Sequence, residues 1–299
     1  MKSFRRHWGL AAALLALACE RANTPARTDS IAAKPATPAD SAAAAASPGG
    51  SWNPAAGPVL LVASGSPAQA FVVAPDSGTA TAELAAIPHP ASVTLFGRGG
   101  TVQTADLPAV QDTAGCTTAT LSAAPPPRAW SVGFIGGVVA PLPLDSIEAI
   151  APADSAALVV VLNRLASALP NDSAGRFAGL PFVVKSIWRF SLPSGTPVVI
   201  GTLTRQINQE ATPLQEHTLV VAERAAKDTT FAMTYSERSY GEEETIESRD
   251  VLAAALIGPG RVPSVFLTRD YGDAVAYGLL ERGDDGRWHR RWTSARRHC

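Results

Sequence analysis

Three cysteines, Cys19, Cys116 and Cys299, offer the most chemistry in this 299-residue sequence. A thiol can be acylated, oxidised to a disulfide or bound to a metal, and its spacing and compartment decide which. No two of the three form a Cys-x-x-Cys pair, so neither a redox motif nor a zinc site is predicted. The sequence also lacks a Gly-x-Ser-x-Gly elbow, a His-Glu-x-x-His pair and a dinucleotide fingerprint. We therefore assign no catalytic residue, no metal ligand and no cofactor.

The residues before Cys19 follow the order of an export signal. Three basic residues stand within the first six positions, and an uncharged, mostly apolar run follows from Leu10 to Ala18. Such a run is too short for a permanent membrane span, so it predicts a cleaved signal peptide over residues 1–18.

The segment Leu15-Ala16-Leu17-Ala18-Cys19 resembles the lipobox of bacterial prolipoproteins, although that family prefers leucine where Ala16 stands. The resemblance covers only the signal peptide and its cysteine. It implies that Cys19 carries acyl chains such as palmitate and anchors the protein in the cell envelope. Because Glu20 is not the aspartate that retains some lipoproteins at the inner membrane, the outer membrane is favoured over the outer face of the cytoplasmic membrane. The alternative is an ordinary signal peptide in which Cys19 is incidental.

If Cys19 carries lipid, Cys116 and Cys299 remain as one pair in an oxidising compartment, which predicts a disulfide between them. Two independent reduced thiols are the alternative.

Near the end of the sequence, Trp288, Arg290 and Trp292 form a candidate ligand surface. Alternation along a strand would place all three on one face. Arginine beside tryptophan suits an envelope protein, a glycan or an anionic lipid. In the alternative, the tryptophans pack inward and the arginines remain in water. The net charge of −1 and the export signal both argue against nucleic acid as a partner.

Two further polar groups are weaker candidates. Glu216 and His217 are neighbours on a predicted strand, so they point to opposite faces and predict a solvated strand rather than a metal site. The acidic run 242–244, with Glu237 and Glu247 nearby, has the oxygen ligands that calcium prefers, but a charged loop between a strand and a helix is the commoner explanation.

Composition divides the chain into a tether and a folded part. Residues 19–57, rich in Ala, Pro and Ser, predict a lipidated, disordered tether. Residues 58–299 predict a single β-rich α+β domain, or two subdomains over 58–144 and 145–299. Short valine-rich runs between turn signals predict antiparallel sheets.

Two or three short helices complete the predicted fold. One begins near Asp145 and a second begins at Asp154, with Leu158 and Leu162 on its apolar face. A third covers Val251 to Ile257.

These features predict a lipid-anchored cell-envelope lipoprotein with a non-catalytic binding or scaffolding domain. The alternative is an envelope hydrolase whose site is assembled from scattered residues.

The Cys19→Ser substitution tests the lipid anchor. We expect it to move the protein from the membrane to the soluble fraction, because the acylated thiol is lost. Fractionation followed by immunoblotting measures this, with Ser30→Ala in the predicted tether as the matched control that stays membrane-bound. A Cys19→Ser variant as membrane-bound as the parent would contradict the anchor.

Overall fold

Antiparallel strands make up most of the described chain in this computed structural model. The structure describes residues 49–66, 68–74, 87, 89–113, 116–170, 175–207 and 213–298, which belong to one compact unit. The signal peptide, Cys19, most of the tether and Cys299 therefore lie outside the described residues. The strands are β1 Gly49–Gly50, β2 Leu60–Ala63, β3 Gln69–Val73, β4 Ala91–Phe96, β5 Gln103–Thr113, β6 Cys116–Ser122, β7 Val132–Ile135, β8 Val139–Leu142, β9 Asp145–Ser146, β10 Val183–Ser191, β11 Pro197–Ile207, β12 Leu214–Glu223, β13 Ala232–Glu242, β14 Ser248–Ile257, β15 Val262–Asp270, β16 Val275–Arg282 and β17 Trp288–Thr293; the helix α1 is Pro152–Ser167.

The strands form a closed barrel and two sheets. The barrel runs in the order β2-β3-β6-β5-β4-β7. The central sheet runs β1-β17-β16-β15-β14-β8, and the outer sheet runs β13-β12-β11-β10-β9. Every pairing is antiparallel, so the predicted β-rich antiparallel fold class is confirmed.

The central sheet is buried on both faces. On one face Phe266 and Leu279 pack against barrel residues such as Phe134. On the other face Val265 and Leu267 pack against the outer sheet. The barrel also encloses an apolar interior of its own, and α1 covers the far side of the outer sheet. The layers are therefore barrel, central sheet, outer sheet and helix.

Bulges decide which layer each side chain of the central sheet faces. The register shifts between Val251 and Ala253 in β14, and between Arg290 and Trp292 in β17. One extra residue moves the rest of a strand by one position, so the alternation reverses faces. As a result Trp288 packs in the cluster facing the outer sheet, whereas Trp292 packs in the cluster facing the barrel.

The predicted helices are only partly correct. The helix near Asp154 exists as α1, but Pro152 rather than Asp154 begins it. The one near Asp145 is a single 3-10 turn, Ile147–Ala149. The predicted helix Val251 to Ile257 is wrong because these residues lie in β14. A short apolar run fits a buried helix or a buried strand equally well, and here the two packed faces select the strand. Within the described ranges, no helix has the length and apolarity that a membrane crossing needs.

The folded unit begins earlier than the composition predicts. Gly49 and Gly50 pair with β17, and Trp52 is buried against Trp292 with ring centroids 4.8 Å apart. The Trp52 indole N–H donates to the carbonyl of Gly57, and Asn53 donates to Glu281. Residues 49–57 therefore belong to the domain and not to the tether, because one aromatic side chain buries enough surface to hold the segment.

The Trp52→Ala substitution tests this boundary. We expect the free energy of unfolding to fall by ~3–5 kcal/mol, because the change leaves a cavity between the central sheet and the barrel. Denaturant unfolding measures the effect, and Ser51→Ala, at an exposed neighbouring position, is the matched control. A denaturant midpoint of unfolding equal to that of the parent would show that residues 49–57 belong to the tether and not to the domain.

Candidate functional site

A groove of about 830 Å³ lies beside α1. Its walls come from α1, from the β10–β11 hairpin and from the loop between β12 and β13. Apolar side chains including Leu158, Val161 and Phe231 line part of it. Its volume lies within the range of roughly 300–1,000 Å³ that is usual for ligand sites. The groove is therefore large enough for a peptide segment or a small organic ligand.

The charges of the groove favour an anion. Its described lining contains three arginines, Arg164, Arg189 and Arg224, and two aspartates, Asp145 and Asp154. Arg189 is already paired with Asp145 at 3.1 Å. Arg164 and Arg224 are exposed, and neither forms an ion pair with another described residue. Arg224 lies over the ring of Phe231, 5.2 Å from its centroid. Two guanidinium groups therefore remain for an incoming ligand.

The position of α1 follows from close packing on the outer sheet. A side chain at Gly201 would come within 2.6 Å of Leu162, so the absent Cβ makes room for the leucine. Ser155 holds the start of the helix by donating to the carbonyl of Ile147 at 3.0 Å. Arg164 projects from the part of the helix surface away from the buried Leu158 and Leu162. The apolar periodicity predicted the helix, but no local pattern marked Arg164 as part of a site.

A buried ion cluster lies between the outer and central sheets. Glu237 lies on β13 and Glu247 directly precedes β14, and Arg249 and Arg269 face them. Arg249 is 3.1 Å and Arg269 is 2.7 Å from the same carboxylate oxygen of Glu247. Arg290 adds a third guanidinium, 3.0 Å from Glu237. These acidic residues neutralise arginines inside the fold, which is a different role from the calcium site considered above.

The cluster depends on its charges being paired. Burial alone would raise the pKa of Glu237, but the hydrogen bond from Arg269 and the charges of Arg249 and Arg269 hold that pKa at about 2. Tyr235 donates to the same carboxylate at 2.9 Å, and its own pKa is raised by burial and by the nearby negative charge. Because the pKa of Glu237 is depressed in the folded state, its contribution to stability is present above the usual carboxyl pKa. That contribution is lost as the pH falls toward 2.

Glu216 and His217 point to opposite faces, as predicted, but the strand is not solvated. Glu216 is 1% exposed and accepts a hydrogen bond from Arg205 at 2.9 Å. Arg205 lies over the ring of Phe182, 4.6 Å from its centroid. The arginine and its aromatic neighbour compensate the buried carboxylate. Because the three residues are not adjacent in the sequence, no local pattern predicted this arrangement.

The tryptophans of the predicted ligand surface are not exposed. Trp288 is 2% exposed and donates its indole N–H to Glu223, and Trp292 is 0% exposed. Only Arg290 reaches the surface, where it pairs with Glu237. The bulge in β17 sends the two indoles to opposite faces of the central sheet, so Trp288, Arg290 and Trp292 do not form one surface.

Each described histidine contacts a carbonyl, amide or carboxylate oxygen. His89 and His298 contact backbone carbonyls, His289 contacts Asp285, and His217 contacts Gln215 and the carbonyl of Glu247. Within the described ranges, none of these imidazoles hydrogen-bonds to a hydroxyl or thiol, and no three His, Cys, Asp or Glu side chains converge as metal ligands.

Comparison with known proteins gives no relative: no family model, no curated protein and no solved structure matches this chain.

Cys116 begins β6 and is disulfide-bonded. Its partner is not identified, because Cys19 and Cys299 both lie outside the described residues. The last described strand contacts bear on the choice. Arg297 pairs with Val275 through the backbone and donates its Nη1 to the carbonyl of Val72 at 2.6 Å. Val72 lies on β3, which pairs with β6. The side chain of Arg297, two positions before Cys299 in the sequence, thus reaches the strand beside β6, and the Cys116–Cys299 pair stays a prediction.

Cys299→Ser tests the pairing. We expect a free thiol at Cys116 and a loss of up to about 5 kcal/mol of stability, because the link closes a long loop. Peptide mapping without reduction, together with thermal unfolding, measures both effects. Cys19→Ser is the control that leaves the bond intact. Alkylation of Cys299 in the unreduced parent protein would contradict the pairing.

Proposed function

We propose that this chain is a lipid-anchored cell-envelope lipoprotein whose folded domain binds an acidic peptide segment of an envelope partner in the α1 groove, without catalysis. The anchor is Cys19, and the outer membrane is its expected location. The support for this part is the order of basic, apolar and small residues that ends at Cys19.

The observation that carries the binding role is the pair of arginines without ion-pair partners among the described residues, Arg164 and Arg224, in a partly apolar groove. Elsewhere in the fold, arginines such as Arg205, Arg249 and Arg269 are paired with carboxylates. A peptide would place aliphatic side chains against Leu158, Val161 and Phe231 and carboxylates against the two guanidiniums. Arginine suits this role because its planar fork holds a carboxylate through two hydrogen bonds.

Charge reversal in the groove tests the proposal. An array of hexapeptides that combine Glu or Asp with aliphatic residues is compared with matched Gln and Asn peptides. We expect the acidic peptides to bind and the Arg164→Glu/Arg224→Glu variant to lose at least about ten-fold in affinity, because attraction becomes repulsion. Fluorescence polarisation with the selected peptides measures the change, and binding should weaken with added salt.

Arg287→Glu/Arg261→Glu is the matched control, because it reverses two exposed charges that do not line the groove. Equal binding of acidic and neutral peptides, or equal losses in the two double variants, would contradict a specific role for the groove.

A further inference from the structure

A second, smaller cavity opens between the outer and central sheets, on the face of the outer sheet that the groove does not use. This notch has a volume of about 160 Å³. Lys185, His217 and Arg249 line it together with the hydroxyl residues Thr204 and Ser248. Its described lining includes three basic side chains and no carboxylate. It is smaller than the roughly 300–1,000 Å³ of a pocket for an organic ligand, so its size suits a small ion.

A bulge brings Lys185 to the notch. The register of β10 against β11 shifts between Val184 and Ser186, which makes Lys185 the extra residue. A bulged residue is released from strict alternation, so it can be aimed where a regular strand would not place it. Lys185 is exposed and has no ion-pair partner among the described residues.

The buried ion cluster leaves positive charge at the notch. It contains two carboxylates, Glu237 and Glu247, and three guanidiniums, those of Arg249, Arg269 and Arg290. The side chain of Arg249 is only 3% exposed. Its contacts with Glu247 and Glu237 use Nε, and its hydrogen bond to Ser239 uses Nη1. None of these contacts uses Nη2 of Arg249. Arg249 lines the notch, so its Nη2 is the atom that could donate to a bound ion.

Uncharged donors complete the lining. The hydroxyls of Thr204 and Ser248 make no hydrogen bond to another described residue. Threonine and serine hydroxyls donate well to oxyanions, and an anion in a partly buried site is held most strongly by charge-assisted hydrogen bonds. The notch thus combines a buried guanidinium, a lysine and two free hydroxyls.

We propose that the notch binds a tetrahedral oxyanion, either free or as the phosphoryl group of a larger envelope molecule, and that binding is coupled to protonation of His217. The ion would accept hydrogen bonds from Arg249, Lys185 and the two hydroxyls. No covalent step is involved.

His217 supplies the coupling because some of its neighbours favour the charged imidazolium and others oppose it. Its Nε2 lies 2.8 Å from the side-chain oxygen of Gln215, and its Nδ1 lies 3.3 Å from the carbonyl oxygen of Glu247. Burial lowers the pKa of His217, and the charges of Arg249 and Lys185 lower it further. The hydrogen bond to the Glu247 carbonyl and the charge of Glu243 oppose these effects. An anion in the notch would favour the imidazolium and raise that pKa.

The sign of the pH dependence follows. A proton taken up with the anion strengthens binding as the pH falls through the window between the anion-bound and the anion-free pKa of His217. Within that window the affinity changes by up to about ten-fold per pH unit, and it is constant below and above it. Sulfate is the appropriate probe because it does not itself titrate in this range.

The experiment uses the purified full chain in detergent. Calorimetry with sulfate from pH 5 to pH 8 should show affinity falling as the pH rises, and His217→Gln should remove that slope. Lys185→Gln should weaken binding about ten-fold at every pH, because a charge-assisted contact is lost. Arg261→Gln removes an exposed charge of the same sign that lines neither cavity, and it should leave sulfate binding unchanged.

Inorganic phosphate and glycerol 3-phosphate, compared at one pH, distinguish the two sources of the ion. Tighter binding of glycerol 3-phosphate supports a phosphoryl group on a larger molecule, and tighter binding of phosphate supports the free ion. Three results would overturn the proposal: no sulfate binding by the parent, parent-like binding by Lys185→Gln, or a pH slope that survives in His217→Gln. Peptide binding in the α1 groove is a separate measurement, so either proposal can fail without the other.

Discussion

Burial of the central sheet on both faces is the constraint on which the rest of this fold depends. In a sheet that packs on a single face, apolar and polar residues simply alternate along each strand. Here both faces of the sheet must be apolar. Residues such as Phe266 face the barrel, while Val265 and Leu267 face the outer sheet. The bulges in β14 and β17 adjust this arrangement, since each moves later side chains to the other face. The barrel, the outer sheet and α1 are then held in place around one shared layer.

Charges inside such a layered fold must be compensated because each loses its hydration. The chain meets this requirement with arginine and glutamate pairs that come from distant strands. Arg205 pairs with Glu216 on the helix side of the outer sheet, and Arg249 and Arg269 pair with Glu247 between the sheets. Removing one partner from such a pair would leave a buried charge alone, which costs more than the pair contributes. These pairs belong to the architecture, and they engage Glu237 and Glu247, the two carboxylates that flank the acidic run 242–244 in the calcium alternative.

Against this paired background, the cationic groups that have no ion-pair partner among the described residues and also line a cavity are the candidates for binding. Two of them, Arg164 and Arg224, lie in a groove with apolar lining. A third, Lys185, lies at a bulge beside a smaller notch. The two cavities are on opposite faces of the outer sheet. The groove, at about 830 Å³, has the volume of a site for an organic ligand, whereas the notch, at about 160 Å³, has room only for a small ion.

The sequence by itself determined the β-rich antiparallel class, most strand positions and α1, because alternation, turn residues and helical spacing are local signals. It also predicted that Glu216 and His217 face opposite ways. Tertiary structure alone decided that Trp52 and Trp288 are buried and that the run from Val251 to Ile257 is a strand. A bulge reverses faces without a distinctive local pattern, and the burial of an indole depends on strands far away in the chain. The groove and the notch were equally hidden, since their arginines, lysine and hydroxyls meet only after the layers pack.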